Sequence, residues 1–410
     1  MSSRSRQWLL TLLILAGVLN YVDRQLIAVL KPLLQERLHW TDTDYGSMTA
    51  CFQFAAAFAL LGSGWIVDRV GWRAANPLAV GSWSLAEMAH SLARTFGEFI
   101  PVRIALGATV SLGTPAAVKT IAENFDARRS SVAFGFLTAS GNAGAIVTPV
   151  LMPAVAIGVG WSGAFFAAGA LGIVWVMAWI FFVRTLPQPL DSMGANAVRQ
   201  NERVSMRSVL ADRRTWAIAG GKAFSDSVWW FLLFWAPDFF NRVFHLNMRG
   251  FAMPLALMYA TAAVGSLLGG LASSRLIIGG MAAVEARKLT MLVCAVVALI
   301  VPAALFVHSY WTAALILGVT LAAHQGFSVN LFALASDVTP KPSIATTISI
   351  GAFCGNLAGM GVLRMAGQLV GSGSGYGLLF SLAAVAYLFA VAWVHLVLPR
   401  AWPGPQAAPA

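Results

Sequence analysis

The chain has 410 residues, 58% hydrophobic and 10% charged, with a net charge of +11 and a mean hydropathy of +0.74. A water-soluble domain carries about 25% charged residues, so most of this surface is expected to face lipid. Lipid satisfies no exposed backbone group, which leaves helices or a closed barrel, and the absence of alternating ten-residue strands excludes the barrel.

Apolar stretches of about 20 residues, the length that crosses a bilayer, predict twelve transmembrane helices. Their limits are 8–30, 45–67, 74–93, 97–121, 131–156, 161–183, 215–238, 251–274, 288–307, 310–335, 344–371 and 376–398. The start resembles a signal peptide. The apolar run continues to Leu30, carries Asp23-Arg24 and lacks a small-residue cleavage site, so it reads as span 1. Cationic residues gather in short segments on one side: Arg4 and Arg6, Arg69 and Arg73, Arg128 and Arg129, Arg184 through Arg214, Arg275 with Arg287 and Lys288, Lys341, and Arg400. This is positive-inside patterning with both termini cytoplasmic. It turns the net charge away from a nucleic-acid partner and towards the bilayer.

Ionisable residues inside spans are the most informative, because each costs at least ~2.5 kcal/mol at the bilayer centre. In chain order they are Asp23 and Arg24 in span 1, Glu87 in span 3, Arg103 and Lys119 in span 4, Lys222 and Asp226 in span 7, and Arg364 in span 11. Asp23, Arg24, Glu87 and Arg103 fall at similar depth, ~10 Å from the outer end at 1.5 Å per residue, and are expected to form one charged network. Lys119, Lys222 and Arg364 are expected nearer the cytoplasmic side, where long side chains snorkel. Neutral polar residues interrupt other spans: Gln53, Asn142, His324, Gln325, Asn330 and Asn356. They are candidates to line a pathway, although interhelical hydrogen bonds alone explain many such residues. Asp226 and Trp230 share a face at i and i+4, with Trp229 beside them. Cys51, Cys294 and Cys354 lie in apolar stretches, so no disulfide framework is expected.

Between spans 2 and 3 stands Gly64-Trp65-Ile66-Val67-Asp68-Arg69-Val70-Gly71-Trp72-Arg73. Its glycines allow helix ends to approach, and Asp68, Arg69 and Arg73 are expected to make a charged latch that forms in one conformation and breaks in another. After span 8, Gly270 through Arg275 echoes it, with Ser274 in place of the Asp. The expected organisation is an amino-terminal six-helix bundle (1–183), a cytoplasmic linker (184–214), a second six-helix bundle (215–400) and a tail (401–410). Duplicated halves put a substrate site near the midplane between them. No phosphate-binding loop, metal-ligand cluster or nucleophile–base arrangement stands out, so no enzyme and no cofactor are expected, and ion or substrate gradients must supply the energy.

The Gly64–Arg73 loop resembles the loop between spans 2 and 3 of the major facilitator superfamily. The chain as a whole resembles its anion:cation symporter family, and within it the bacterial hexuronate transporters. The resemblance rests on Asn20-Tyr21-Val22-Asp23-Arg24-Gln25, that loop, Arg103 with Gly107 and Pro115-Ala116-Ala117, Asn142 through Ile146, Gly221-Lys222 through Asp226 with Trp229-Trp230-Phe231, and His324-Gln325 with Asn330 through Asp337. It implies a monomer in the bacterial inner membrane that imports a small organic acid by proton symport with alternating access. Asp23 would be the protonation site, and Arg24 and Arg103 would pair with it or grip the substrate carboxylate. The family Glu seven residues after the span 4 Arg is Val110 here, the Asn that follows is Gly113, and Glu87 is an acid the family pattern does not anticipate. These departures extend the expected substrates from hexuronates to compact acids or sulfonates such as sulfoacetate. Proton-coupled efflux of an acid or drug, or a non-transporting sensor on the same fold, are the other readings.

Overall fold

The computed structural model describes residues 3–125, 127–186, 206–340, 343–373 and 375–398. The expected linker is therefore described only at its two ends, and the expected tail, Lys341 and the side chains of Arg128 and Arg129 lie outside the described residues. The helices are α1 (Ser3–Leu38), α2 (Asp42–His90), α3 (Phe96–Val110), α4 (Gly113–Asn124), α5 (Ala127–Arg184), the short α6 (Met206–Ala211), α7 (Arg213–Phe244), α8 (Ala252–Ile278), α9 (Ala283–Ala298), α10 (Tyr310–Val338), α11 (Ile344–Gly371) and α12 (Gly377–Val397), with a 3-10 turn at Val301–Leu305 after α9. There is no strand among the described residues.

Nine of these helical stretches are long and apolar enough to cross a membrane. Two of the nine, 49 and 52 residues long, are about twice what one crossing needs. Each is broken at a glycine in the left-handed region: Gly71 at φ 75° and Gly160 at φ 79°. A side chain would strain either turn. Divided there, and with the 32-residue α7 added, the helices are consistent with the twelve spans expected. Spans 4 and 9 are interrupted: α3 stops at Val110 and α4 restarts at Gly113, and α9 stops at Ala298 before the 3-10 turn at Val301–Leu305.

Helix starts follow local chemistry. Thr41 caps α2 and Thr95 caps α3, each reciprocated by an acid three residues on, Asp44 and Glu98; such boxes satisfy backbone donors that the first turn leaves free. α1 and α7 run parallel, with Lys31 against Asp238. The start of α7 also meets the end of α12, where Trp393 Nε1 donates to the Trp216 carbonyl at 2.8 Å. The helix starts of α1 and α7 and the end of α12 thus share one end of the molecule, called here the terminal end, and Lys31 and Asp238 lie at the distal end. α2 crosses α11 near that distal end, where a Cβ on Gly46 would sit 2.8 Å from the Gly367 Cα. The chain is a multi-pass, all-helical membrane protein.

Candidate substrate and proton site

α1 continues to Leu38 and α7 to Phe244, beyond the apolar limits at 30 and 238. That extra length carries a charged cluster which joins the two halves at the distal end. Lys31, fully buried, reaches Asp42 at 2.9 Å and Asp238 at 2.6 Å. Arg242 binds Asp238 at 2.9 Å and Asp42 at 2.5 Å, and the Tyr376 hydroxyl donates to Asp238. Gln35 adds a donor to Asp42 at 3.1 Å, and the Lys31 ammonium lies 4.1 Å from the Trp235 ring. Every charge in this cluster has a partner of opposite sign.

Deeper in α1 the pattern reverses. Asp23, Glu87 and Arg103 lie within electrostatic reach of one another, at most 1% exposed, with no ion pair under 4 Å between Arg103 and either carboxylate among the described residues. Arg103 lies in the fields of Glu87, Tyr45 and Asp23. None of its three guanidinium nitrogens has a hydrogen-bond partner among the described residues, nor has either Glu87 oxygen, nor Asp23 Oδ1. Gln53, fully buried, has both amide atoms unpartnered as well. His90, one turn beyond Glu87, brings Nδ1 within 3.7 Å of Glu87 Oε2.

Arg24 does not join this network. Adjacent helical residues point about 100° apart, so Arg24 turns to the interface between the halves. There its Nε donates to Asn20 Oδ1 at 2.8 Å, and its guanidinium lies 5.6 Å from both the Phe52 and Trp230 rings. On the terminal side of Asn20 a cavity of about 410 Å³ is lined by Asn20, Tyr21, Asn76, Trp83 and Ser140, with Phe332 reaching in from α10.

In the second half, Lys222 and Asp226 form an ion pair at 2.8 Å, both largely buried. Lys222 is thus paired in the interior, 4.7 Å from the Phe332 ring, where snorkelling was expected. Trp229 stacks on His324 at 5.1 Å and does not face lipid, and His324 Nδ1 meets the Tyr387 hydroxyl at 3.0 Å. Gln325 donates to Asn142 at 3.1 Å across the halves. Asn330 gives its amide to the Gly269 and Gly326 carbonyls, so it binds α10 to α8. Asn356 gives its amide to Ala352 on its own helix. Arg364 is exposed one turn before Gly367, at the distal end and not at the terminal end where it was expected.

At the terminal end, Gly64 to Arg73 forms the bend at Gly71. Asp68 pairs there with Lys119 of α4, at 2.8 Å, where an arginine partner and a snorkelling lysine were expected. Arg69 lies over Trp65 and Arg73 over Trp72. Beside the echo in the second half, Arg287 of α9 pairs with Asp337 of α10 at 3.4 Å and donates to Ser273 of the echo itself.

Sequence reasoning missed the distal cluster and His90. The signal for the cluster was present: Asp238 and Arg242 stand at i and i+4, and Lys31 and Asp42 flank a short turn. It was hidden because hydropathy ends a span where charge begins.

The model of the Major Facilitator Superfamily matches residues 13–361. The probable L-galactonate transporter of Escherichia coli (strain K12) is 28% identical over 324 residues, covering 76% of this chain and 71% of that protein. The hexuronate transporter of the same strain is 27% identical over 413 residues, covering 96% and 94%. Among solved structures, a bacterial homologue of the human lysosomal transporter Spinster, inward-facing and occupied, aligns with a TM-score of 0.75 at 20% identity over 97% of each chain. The apolar helices, the bend at Gly71 and this match over most of the length lead to one conclusion: the chain belongs to the Major Facilitator Superfamily, a family of transporters and not of enzymes.

Proposed function

We propose that this protein imports a small organic anion together with protons, by alternating access of two six-helix bundles. The single observation that carries the reading is Arg103: a fully buried guanidinium without a hydrogen-bond partner among the described residues, beside two carboxylates. Burying an unpaired charge is costly, and a substrate carboxylate would offset that cost. The names of the relatives support an acid of the hexuronate or galactonate kind.

Arg103 and Arg24 take the anion, Gln53, Trp230 and Gln325 contact its polar groups, and Asp23 and Glu87 hold the coupled protons. Asp226 acts by holding Lys222 against α10. Asn330 and Asn356, whose Nδ2 groups are committed to backbone carbonyls, support helix packing. The terminal end faces the cytoplasm across the inner membrane, with bundles at 1–183 and 215–400, a linker at 184–214, a tail at 401–410, and a monomer as the working unit. The closed distal cluster and the cavity towards the terminal end then correspond to an inward-facing state. Proton coupling is economical for such a cargo: inward movement of a monoanion against 100 mV costs about 2.3 kcal/mol, one proton cancels that charge, and each favourable pH unit adds ~1.36 kcal/mol.

The test is uptake into proteoliposomes under an imposed pH gradient, with glucuronate, galacturonate, galactonate, small dicarboxylates and short sulfonates. Accumulation of at least one acid, abolished by a protonophore, is expected. Accumulation of none, or outward transport driven by protons, would replace import with efflux.

A further inference from the structure

The cavity beside Asn20 and the cations next to it form a space with two unlike ends. On the distal side the Phe52 ring lies 5.6 Å from the Arg24 guanidinium and 5.9 Å from that of Arg103. Arg24 spends Nε on Asn20, and its two terminal nitrogens make no hydrogen bond among the described residues. Gln53 adjoins Phe52, so its unpartnered amide belongs to the same end. This end suits one carboxylate, which a guanidinium fork grips by both oxygens.

On the terminal side the wall is made mainly by Val80, Trp83, Phe134, Leu137 and Phe332. The amides and the serine in that wall are already engaged. Asn20 turns Oδ1 to Arg24 and gives Nδ2 to the Val110 carbonyl at 3.4 Å. Asn76 gives Nδ2 to the Trp72 carbonyl at 2.8 Å and to the Thr120 hydroxyl at 2.7 Å. Ser140 gives its hydrogen to the Leu137 carbonyl at 2.6 Å. The Trp83 indole nitrogen is unpartnered but fully buried, so it is turned away from the cavity. Gly113 offers no side chain, and a Cβ there would meet the Trp83 ring at 2.9 Å. The Tyr21 and Thr114 hydroxyls are left as lining groups with no hydrogen bond among the described residues.

A ring-form sugar acid carries a hydroxyl on nearly every carbon, more than Tyr21 and Thr114 can serve. Each hydroxyl that leaves water for such a wall without a partner lowers affinity about tenfold. A hydrocarbon body gains there instead, about fourfold for each methylene buried. At about 410 Å³ the cavity has the size of pockets that enclose small ligands, roughly 300–1,000 Å³.

We propose that the cargo is a monocarboxylate with a compact hydrocarbon body, such as a saturated or aromatic six-membered ring. Its carboxylate sits at Arg24 and Arg103, and its body fills the cavity between Trp83 and Phe332. This narrows the organic anion proposed above, away from the sugar acids, and it rests on the anion site of that reading.

The experiment is calorimetric titration of purified full-length protein with cyclohexanecarboxylate and with D-glucuronate, after subtraction of protein-free micelles. Both acids are six-membered rings bearing one carboxylate, and glucuronate adds the ring hydroxyls. Binding is measured because a protonated hydrocarbon acid crosses lipid unaided, which would blur uptake. Cyclohexanecarboxylate is expected to bind at least about tenfold more tightly. In Leu137→Asn, which puts an amide into the apolar wall, that ratio is expected to shrink at least about threefold. Glucuronate binding as tightly as cyclohexanecarboxylate, or more tightly, would overturn the hydrocarbon cargo and leave the anion site standing. An unchanged ratio in Leu137→Asn would overturn the placement of the body in this cavity. Binding of neither acid, or binding unmoved by both Arg24→Gln and Arg103→Gln, would instead remove the anion site on which the inference rests.

Discussion

Two groups of buried charge share α1, Lys31 with Asp42, Asp238 and Arg242 at the distal end, and Asp23 with Glu87 and Arg103 about two turns deeper. The distal group is the wetter of the two, with the Arg242 side chain 39% exposed, and they are opposite in bonding. In the distal group each charge has a counter-charge within 3 Å; in the deeper group the guanidinium has no hydrogen-bond partner among the described residues. A satisfied buried network holds two bodies together, while an unsatisfied one is completed by a ligand or a proton. On the proposed reading, the first group closes the molecule and the second meets its cargo.

The sharpest way to break the comparison is at Asp23. Asp23→Asn is expected to abolish uphill accumulation, a loss of about tenfold in the accumulation ratio for each imposed pH unit, while counterflow persists; proteoliposome uptake reads both. Normal accumulation by that variant would remove Asp23 from the coupling.

Next is Asp238→Asn, which leaves Lys31 and Arg242 short of a counter-charge. Removing one partner of a buried pair costs about 3–5 kcal/mol, here charged to the distally closed state alone. Met48, fully buried on α2 near the crossing, reports the opening: in a background without the three native cysteines, Met48→Cys should react with an external membrane-impermeant thiol reagent far faster once Asp238→Asn is added. Equal rates would mean that the cluster does not hold the closure.

A smaller opening is expected from Gly46→Ala. The new methyl meets Gly367 at 2.8 Å, and overpacking of this kind costs about 1–3 kcal/mol. The same labelling assay should show an intermediate rate. The smallest effect belongs to Asp68→Asn. Its pair with Lys119 leaves the Asp side chain 78% exposed, and exposed pairs contribute at most about 1 kcal/mol. Thermal stability of purified protein should be nearly unchanged, and a large fall would mean that the terminal-end loop is held more tightly than its exposure implies.

Much of this was legible in the sequence, and the reasons differ by residue. Asp23, Glu87 and Arg103 stand out because charge inside an apolar run needs a cause, and counting at 1.5 Å per residue places them at one depth. Arg24 was grouped with them wrongly, since depth ignores the 100° turn between neighbours. Gly71 was legible from its motif, and its positive φ explains why glycine is needed there. The partner of Asp68 was not, because Lys119 lies 51 positions away and pairing across helices leaves no mark on spacing. Asn330 looks like a pathway residue in one dimension; only the neighbouring α8 carbonyl makes it a packing residue. Lys31, Asp42 and Arg242 were missed for a physical reason: a buried ion pair is polar in sequence and interior in space, so hydropathy reads it as a loop.

On the proposed reading, anion and proton meet at Asp23, Glu87 and Arg103. The most direct measurement is proton uptake on binding of the acid the wild type transports, read calorimetrically with purified protein in two buffers of different ionisation enthalpy. The account predicts net proton uptake with the anion in the wild type and reduced uptake in Asp23→Asn. Binding of the anion with no linked proton at any pH would contradict it.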